Sequence, residues 1–221
     1  MMHPTKKKCW QFCRKLWNYF WKEDSIGSWV LNIIVAFLVI RYLVYPILGV
    51  VLGTSFPIVA VVSESMEHGL HQGVLCGKNL PEFKESFENY WQTCGNWYEQ
   101  KGISAEQFRT FSFQDGFNKG DVIILWRANS RNIDLGDVLI FQAHRPQPII
   151  HRVVGITEEA GKIYYQTKGD HNSDSIEGGL RETKIDESRL LGKGVIRIPY
   201  LGWLKILFVE AIKPLGIVIE R

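Results

Sequence analysis

The sequence predicts a mainly β protein, an antiparallel β domain with a small helical insertion, preceded by an N-terminal transmembrane helix. Three observations carry this reading. A long apolar stretch runs from Ser28 to Gly53. Gly-Asp turns at Gly120-Asp121 and Gly136-Asp137 each feed a β-branched run, as strands that start from tight turns do. After Lys119 no segment of helical period alternates with these strands, which argues against a parallel sheet with crossover helices. A chain of 221 residues, 46% apolar and 22% charged, has room for one globular domain plus membrane-associated segments. The expected divisions are a cytoplasmic amphipathic segment over 1–27, an anchor over 28–53, a β domain over 54–199 with an insertion at 69–118, and a membrane-interfacial tail over 200–221.

In the first segment Trp10, Cys13, Leu16, Trp17, Phe20 and Trp21 recur at spacings of three and four. Tryptophans on one face and cations on the other suit a helix lying at a membrane interface. Cys9 and Cys13 stand one helical turn apart with no second ligand pair nearby, so they read as reduced thiols. Asp24 or Ser25 caps the next helix. The run Trp29 to Leu52 exceeds the roughly 20 residues a bilayer crossing needs. Arg41 opposes insertion by roughly 2.5 to 3.5 kcal/mol, and the surrounding Ile, Leu, Val and Phe residues offset this by a few tenths each. Lys6, Lys7, Lys8, Arg14, Lys15 and Lys22 precede the span, which predicts a cytoplasmic N-terminus and an extracytoplasmic remainder at the cell membrane, in a single pass. A cleavable leader has an apolar core of only about 7 to 15 residues near the start, so the span reads as an uncleaved anchor.

Gly53 to Pro57 ends the helix, because Pro57 biases Phe56 to an extended conformation. A strand then runs through Ile58-Val59-Ala60-Val61-Val62. In the insertion, Glu82 to Trp91 has aromatics at helical spacing, and Ser104 followed by Glu106 opens a second helix. Trp91, Trp97, Tyr98, Phe108, Phe111, Phe113 and Phe117 read mostly as the core of this insertion. Cys76 and Cys94 fall on the side where a disulfide persists. Either they form one, worth about 3 kcal/mol in the chain-entropy model, or they stay free. Lys119 to Trp126 and Leu135 to Phe141 read as neighbouring strands. His151 to Ile156 pairs with Ile163 to Thr167 across the Glu158–Gly161 turn, and Gly192 to Ile198 closes the sheet. In the tail, Trp203, Leu204, Ile206, Leu207 and Phe208 with interspersed charges read as a helix on the outer leaflet.

Two stretches carry chemistry. Ser63-Glu64-Ser65-Met66-Glu67 ends the first strand in two hydroxyls. A serine hydroxyl is inert without a general base and donors for an oxyanion. His151, in Ile149-Ile150-His151-Arg152-Val153-Val154, is the candidate base, since an imidazole titrates near neutrality. His68, near Ser65 in sequence, is the rival base, while His144 and His171 read as loop residues. The six histidines include no His-Glu-x-x-His pattern and the cysteines no Cys-x-x-Cys pair, so no metal and no cofactor is expected. A net charge of +3 gives no support to nucleic-acid binding.

Ser63 to Glu67, Gly136-Asp137-Val138, His151 to Val154 and Thr167-Lys168-Gly169-Asp170, in this order, resemble the motifs of the type I signal peptidases, in the branch found in archaea and the endoplasmic reticulum. The resemblance extends from about residue 29 to residue 202. It implies a signal-peptidase-like fold and a membrane-bound serine endopeptidase that cleaves N-terminal signal peptides from exported preproteins. It also implies signal peptides, the lipid bilayer and the protein translocation channel as partners. In that pattern Ser65 is the nucleophile, His151 the base and Ser63 an oxyanion donor. Two departures stand out. The proline that follows Met-Glu in the family is His68 here. The aspartate that orients the histidine follows the Gly-Asp aspartate by six positions in the family, and Ile176 occupies that place. Asp174 is the first candidate for the orienting carboxylate, Asp170 the second and Glu177 the third. The non-enzyme alternative is a membrane-anchored β domain that binds a partner, with the serines as turn formers. A self-cleaving repressor is the enzyme alternative, and it would carry a DNA-binding domain where this chain has its apolar span.

Overall fold

A computed structural model describes residues 25–212 together with Trp10, Asn18 and Lys22. The amphipathic segment expected before the span, with Cys9, Cys13 and Asp24, and the tail beyond Ile212 lie outside the described residues. The chain divides into two compact units between Val51 and Leu52.

The N-terminal helix α1 spans Ile26–Leu52, long and apolar enough to cross a membrane. Ser25 caps it, its hydroxyl accepting from the Ser28 N–H at 3.2 Å. Apolar side chains stand on all sides of it, with Ile33, Phe37 and Val50 well exposed, the pattern of a helix made for a non-aqueous surrounding. Its middle, Ile40–Val44, winds as a π-helix in which the Tyr45 N–H reaches back to the Ile40 carbonyl. Pro46 explains this. A proline inside a helix removes one N–H and presses its ring on the carbonyl four residues back, and a π turn just before it widens the ladder. Gly53, at φ +67°, ends the helix in the left-handed conformation that glycine adopts without strain.

The second unit is built on a seven-stranded antiparallel sheet, as the sequence predicts. Its strands are β1 (Ile58–Ala60), β4 (Val122–Trp126), β5 (Val138–Phe141), β6 (Ile149–Glu159), β7 (Lys162–Lys168), β8 (Ile185–Asp186) and β9 (Leu190–Ile198), in the spatial order β1-β4-β9-β5-β6-β7-β8. A small hairpin of β2 (Val74–Leu75) and β3 (Lys78–Asn79) stands apart. One expectation is corrected here. β4 and β5 share the sheet but are not neighbours, because β9 lies between them and pairs with both. The strand expected to close the domain is therefore central. The β6/β7 hairpin forms as expected, with Glu159 opposite Lys162. Ala160 at φ +50° and Gly161 at φ +74° make the two-residue turn whose twist matches its strands.

The insertion holds α2 (Phe87–Glu99) and α3 (Ala105–Arg109). α2 begins later than the aromatic spacing suggests, because Ser86 caps it, accepting from the Asn89 N–H at 3.2 Å. Ser104 caps α3 through the Gln107 N–H. Tyr90, Cys94, Tyr98 and Phe108 are buried with Leu75 and Val154, so the aromatic load is mostly core. A disulfide joins Cys76 to Cys94, tying the β2/β3 hairpin to α2. The last described helix, α4 (Trp203–Ile212), places the Trp203 ring where a side chain on Gly120 would stand, 2.1 Å from Nε1. Leu204, Leu207 and Phe208 are more than half exposed.

Candidate active site

The Ser65 turn is held between two buried residues. Val61 prolongs β1, its N–H donating to the Asp121 carbonyl at 2.8 Å and its carbonyl accepting from Gly120. Met66 is buried with Val61, Phe117, Ile123 and Val138. Residues 62–65 must therefore loop outward between them, and the Glu67 N–H closes the turn on the Glu64 carbonyl. Lys119 grips it from outside, its ammonium 3.1 Å from Glu64 Oε1 and its N–H donating to Glu67 Oε1. The hydroxyls of Ser63 and Ser65 stand 3.2 Å apart.

His151 is buried on β6, opposite Leu139. Its Nδ1 bonds Glu182 Oε1. Glu182 is fully buried and collects two further donors, the Thr167 hydroxyl on Oε1 at 2.9 Å and the Ile176 N–H on Oε2 at 2.6 Å. Because an ionised carboxylate only accepts, the ring donates to it from Nδ1, and Nε2 is the nitrogen turned away from Glu182. The surroundings of Gly169 locate Nε2. A Cβ added to Gly169 would lie 2.8 Å from His151 Nε2 and 2.7 Å from the Ser65 carbonyl oxygen. The Ser65 carbonyl and the imidazole thus border the space that a side chain on Gly169 would fill, and the His171 N–H fastens the Ser65 carbonyl to this loop at 2.9 Å.

A second polar cluster lies beside the first. Alternation along β6 sends Arg152 to the face opposite His151, where it is fully buried. Asp170 accepts from Arg152 Nε at 2.9 Å and Nη2 at 2.6 Å, and from the Tyr98 hydroxyl at 3.1 Å. It also contacts His68 Nε2 at 3.0 Å. Burial opposes the charge on Asp170, but Arg152 and the hydrogen bond from His68 outweigh it and hold the carboxyl far below its ordinary range. Lys168 sits directly across from Arg152 in the β6/β7 pairing. Burial, opposed by Asp170 and reinforced by Arg152, lowers its pKa to about 8. Its ammonium donates to the carbonyls of Gly169 and Asp170 and to the Tyr98 hydroxyl. Burial raises Tyr90 and Tyr98 well above their usual value.

Of the residues singled out from the sequence, the Ser63 and Ser65 hydroxyls stand side by side, and the Ser65 backbone carbonyl and His151 Nε2 both approach Gly169. Asp170 is committed to Arg152, Tyr98 and His68. Asp174 is exposed and accepts from the Trp97 indole N–H at 3.0 Å, and Glu177 is exposed in the same loop. The carboxylate on His151 Nδ1 is Glu182, which the motif spacing does not point to. Glu182 lies in a turn, buried between exposed Arg181 and Thr183, and no motif or periodicity in the sequence marks it. His68, the rival base, has Nε2 turned to Asp170 and its ring stacked on Tyr90. His171 lies in the loop, its Nδ1 3.3 Å from the Glu67 carbonyl oxygen, and burial lowers its pKa.

No family model matches the chain. Individual relatives do. The chain is 30% identical over 103 residues to the signal peptidase complex catalytic subunit SEC11 of Yarrowia lipolytica, covering 45% of this chain and 59% of the relative. It is 33% identical over 101 residues to SEC11 of Lachancea thermotolerans, covering 43% and 60%. It is 29% identical over 100 residues to human SEC11C, covering 43% and 52%. The chain thus spans between half and three fifths of the length of the curated relatives it matches. The resemblance to the endoplasmic-reticulum branch of the type I signal peptidases, read from the motifs, is borne out by these relatives.

Proposed function

We propose that the chain is a membrane-anchored serine endopeptidase that removes N-terminal signal peptides from exported preproteins. The observation that carries this is the approach of the Ser65 backbone carbonyl and His151 Nε2 to the same side of Gly169, with Glu182 behind the imidazole. His151 Nε2 takes the Ser65 proton as Oγ attacks the scissile carbonyl. The new oxyanion is met by the Ser63 hydroxyl and the Ser65 N–H, a preorganised donor being worth about 2.7 to 4 kcal/mol of barrier. The imidazolium, steadied by Glu182, returns the proton to the leaving amine as the peptide bond breaks. Water then hydrolyses the acyl-enzyme by the same route in reverse. No step calls on a metal or cofactor.

Helix α1 would anchor the chain in a single pass at the cell membrane, with its N-terminus cytoplasmic and the β domain extracytoplasmic, facing preproteins as they leave the translocation channel. The Cys76–Cys94 disulfide supports that side of the membrane, since such bonds persist in oxidising compartments. The exposed face of α4, with Leu204, Leu207 and Phe208, suits contact with the outer leaflet.

The test is cleavage of a preprotein with a cleavable signal by the full chain in lipid vesicles. Ser65→Ala and His151→Ala are expected to abolish processing, and Ser63→Ala to slow it by roughly a hundredfold or more. Full activity of either of the first two variants overturns the reading. A chain that processes nothing, and whose Ser65 resists a fluorophosphonate, is a binding domain instead.

A further inference from the structure

Three contacts in a row join the segment after the proposed nucleophile to the loop after β7. The His171 N–H donates to the Ser65 carbonyl at 2.9 Å, the Asp170 N–H faces Met66 Sδ at 3.4 Å, and His68 Nε2 meets Asp170 Oδ2 at 3.0 Å. The last is the only side-chain-to-side-chain contact of the three. It ends on a carboxylate that Arg152 already neutralises, so ion pairing leaves its purpose unexplained.

The His68 ring is held on one face and along its edge. It stacks on Tyr90 with centroids 3.6 Å apart and planes 1° from parallel. The turn before Phe117 closes on the ring near Cδ2, where a Cβ on Gly116 would stand 2.7 Å from His68 Cδ2 and 2.2 Å from the Met66 carbonyl oxygen. Tyr90 belongs to α2, and its hydroxyl donates to the Asp170 carbonyl at 2.9 Å. The insertion therefore braces both ends of the His68–Asp170 contact, the imidazole by stacking and the aspartate by a hydrogen bond.

We propose that His68 is a positioning residue for Ser65, coupling the nucleophile turn through Asp170 to the buried Arg152 and through Tyr90 to the aromatic insertion. The inference rests on the peptidase reading for its activity assay. His68 touches neither substrate nor reacting atom. It holds the chain three residues beyond Ser65 against the loop whose Gly169 stands between Ser65 and His151, and so sets the distance across which the proton moves. A misplacement of about 1 Å in such a site costs on the order of a hundredfold in rate.

The experiment compares His68→Ala, His68→Phe and His68→Gln in the full chain, reading kcat and KM on a preprotein, the rate at which a fluorophosphonate phosphonylates Ser65 with loss of fluoride, and the unfolding midpoint. Phenylalanine keeps the ring on Tyr90 but has no donor, whereas glutamine keeps a donor at the same reach without the ring. The expected result is a kcat lowered roughly tenfold to a hundredfold in the alanine and phenylalanine variants at nearly unchanged KM, with glutamine restoring most of it. Unchanged kcat, a change confined to KM, or a glutamine variant no better than phenylalanine overturns the positioning role and leaves the peptidase reading intact. If the wild-type chain cleaves no preprotein, that reading fails, and phosphonylation rates still decide the role of His68: equal rates in wild type and His68→Phe, or a wild-type Ser65 that is not phosphonylated at all, overturn it. Should the alanine variant not fold, the phenylalanine and glutamine pair carries the comparison.

Discussion

Exchanging Glu182 for glutamine changes one atom of a side chain that is fully buried, and the structure dictates how the new side chain must sit. The amide nitrogen has two places to go. At the position of Oε2 it would face the Ile176 N–H, now 2.6 Å away, donor against donor, at a cost of about 1 to 3 kcal/mol. At the position of Oε1 it faces the Thr167 hydroxyl and His151 Nδ1. The hydroxyl can rotate to accept, and the imidazole can accept at Nδ1 by moving its proton to Nε2. The second orientation wins, and it converts His151 to the tautomer whose Nε2 cannot take a proton from Ser65. A wrong-tautomer substitution of this type in a serine triad lowers kcat about 10⁴-fold, close to 5.5 kcal/mol of barrier at about 1.36 kcal/mol per tenfold. Single-turnover cleavage of a preprotein by the full-length variant measures it, with thermal unfolding to show that the fold is retained. Asp174→Asn, at an exposed carboxylate that meets Trp97, serves as the contrast and is expected to cleave at nearly the wild-type rate. If Glu182→Gln cleaves within tenfold of wild type, or Asp174→Asn suffers the greater loss, the orienting role of Glu182 is refuted.

Three further perturbations test the surroundings. Gly169→Ala puts a methyl 2.7 Å from the Ser65 carbonyl oxygen and 2.8 Å from His151 Nε2; the groups must part by several tenths of an ångström, and kcat is expected to fall by up to about a hundredfold, checked by the same cleavage assay. Asp170→Asn strips the buried Arg152 of its ionic partner, so denaturant unfolding is expected to show about 3 to 5 kcal/mol of lost stability; a loss under about 1 kcal/mol contradicts that account. Lys168 has its pKa lowered to about 8 from 10.5, so between those values the unfolded chain holds a proton that the folded chain has released. Stability from this group therefore rises with pH across that window, by about 1.4 kcal/mol per pH unit at most. Lys168→Met is expected to remove that slope between pH 8 and 10, measured as unfolding free energy against pH.

The strands and turns that depend on neighbours in sequence were legible from it. The Ala160-Gly161 hairpin needs only two residues able to adopt positive φ, and the caps at Ser25 and Ser104 need only a hydroxyl three positions before an N–H. The order of the sheet was not legible, because it turns on β9. Leu190–Ile198 pairs with β4 along one edge and β5 along the other, and nothing in the local pattern of either partner announces a strand that arrives so much later in the chain. The late start of α2 has a local cause that spacing conceals. Aromatic periodicity continues through Phe83 and Phe87, but the Ser86 hydroxyl takes the Asn89 N–H, and a hydroxyl that satisfies a backbone donor sets a helix start more firmly than a repeating ring does.

The candidate site divides the same way, and its divided part shows how. Ser63, Ser65 and His151 lie in motifs with recognisable neighbours. The orienting carboxylate does not, and its absence from the expected place has a structural counterpart. Ile176, which stands where the resemblance calls for an aspartate, is bonded to Glu182 in both directions. Its carbonyl accepts from the Glu182 N–H at 3.1 Å, and its N–H donates to Glu182 Oε2. The loop over 177–181 leaves that position and doubles back to it, so Glu182 comes alongside the vacated place and reaches His151 from the neighbouring strand of chain. The carboxylate on His151 thus comes from a residue six positions beyond the one the motif spacing indicates, and a reading by spacing alone must miss it. The burial of Glu182 between exposed Arg181 and Thr183 emerges only in the fold, where a buried acid requires donors: His151 Nδ1, the Thr167 hydroxyl and the Ile176 N–H supply them.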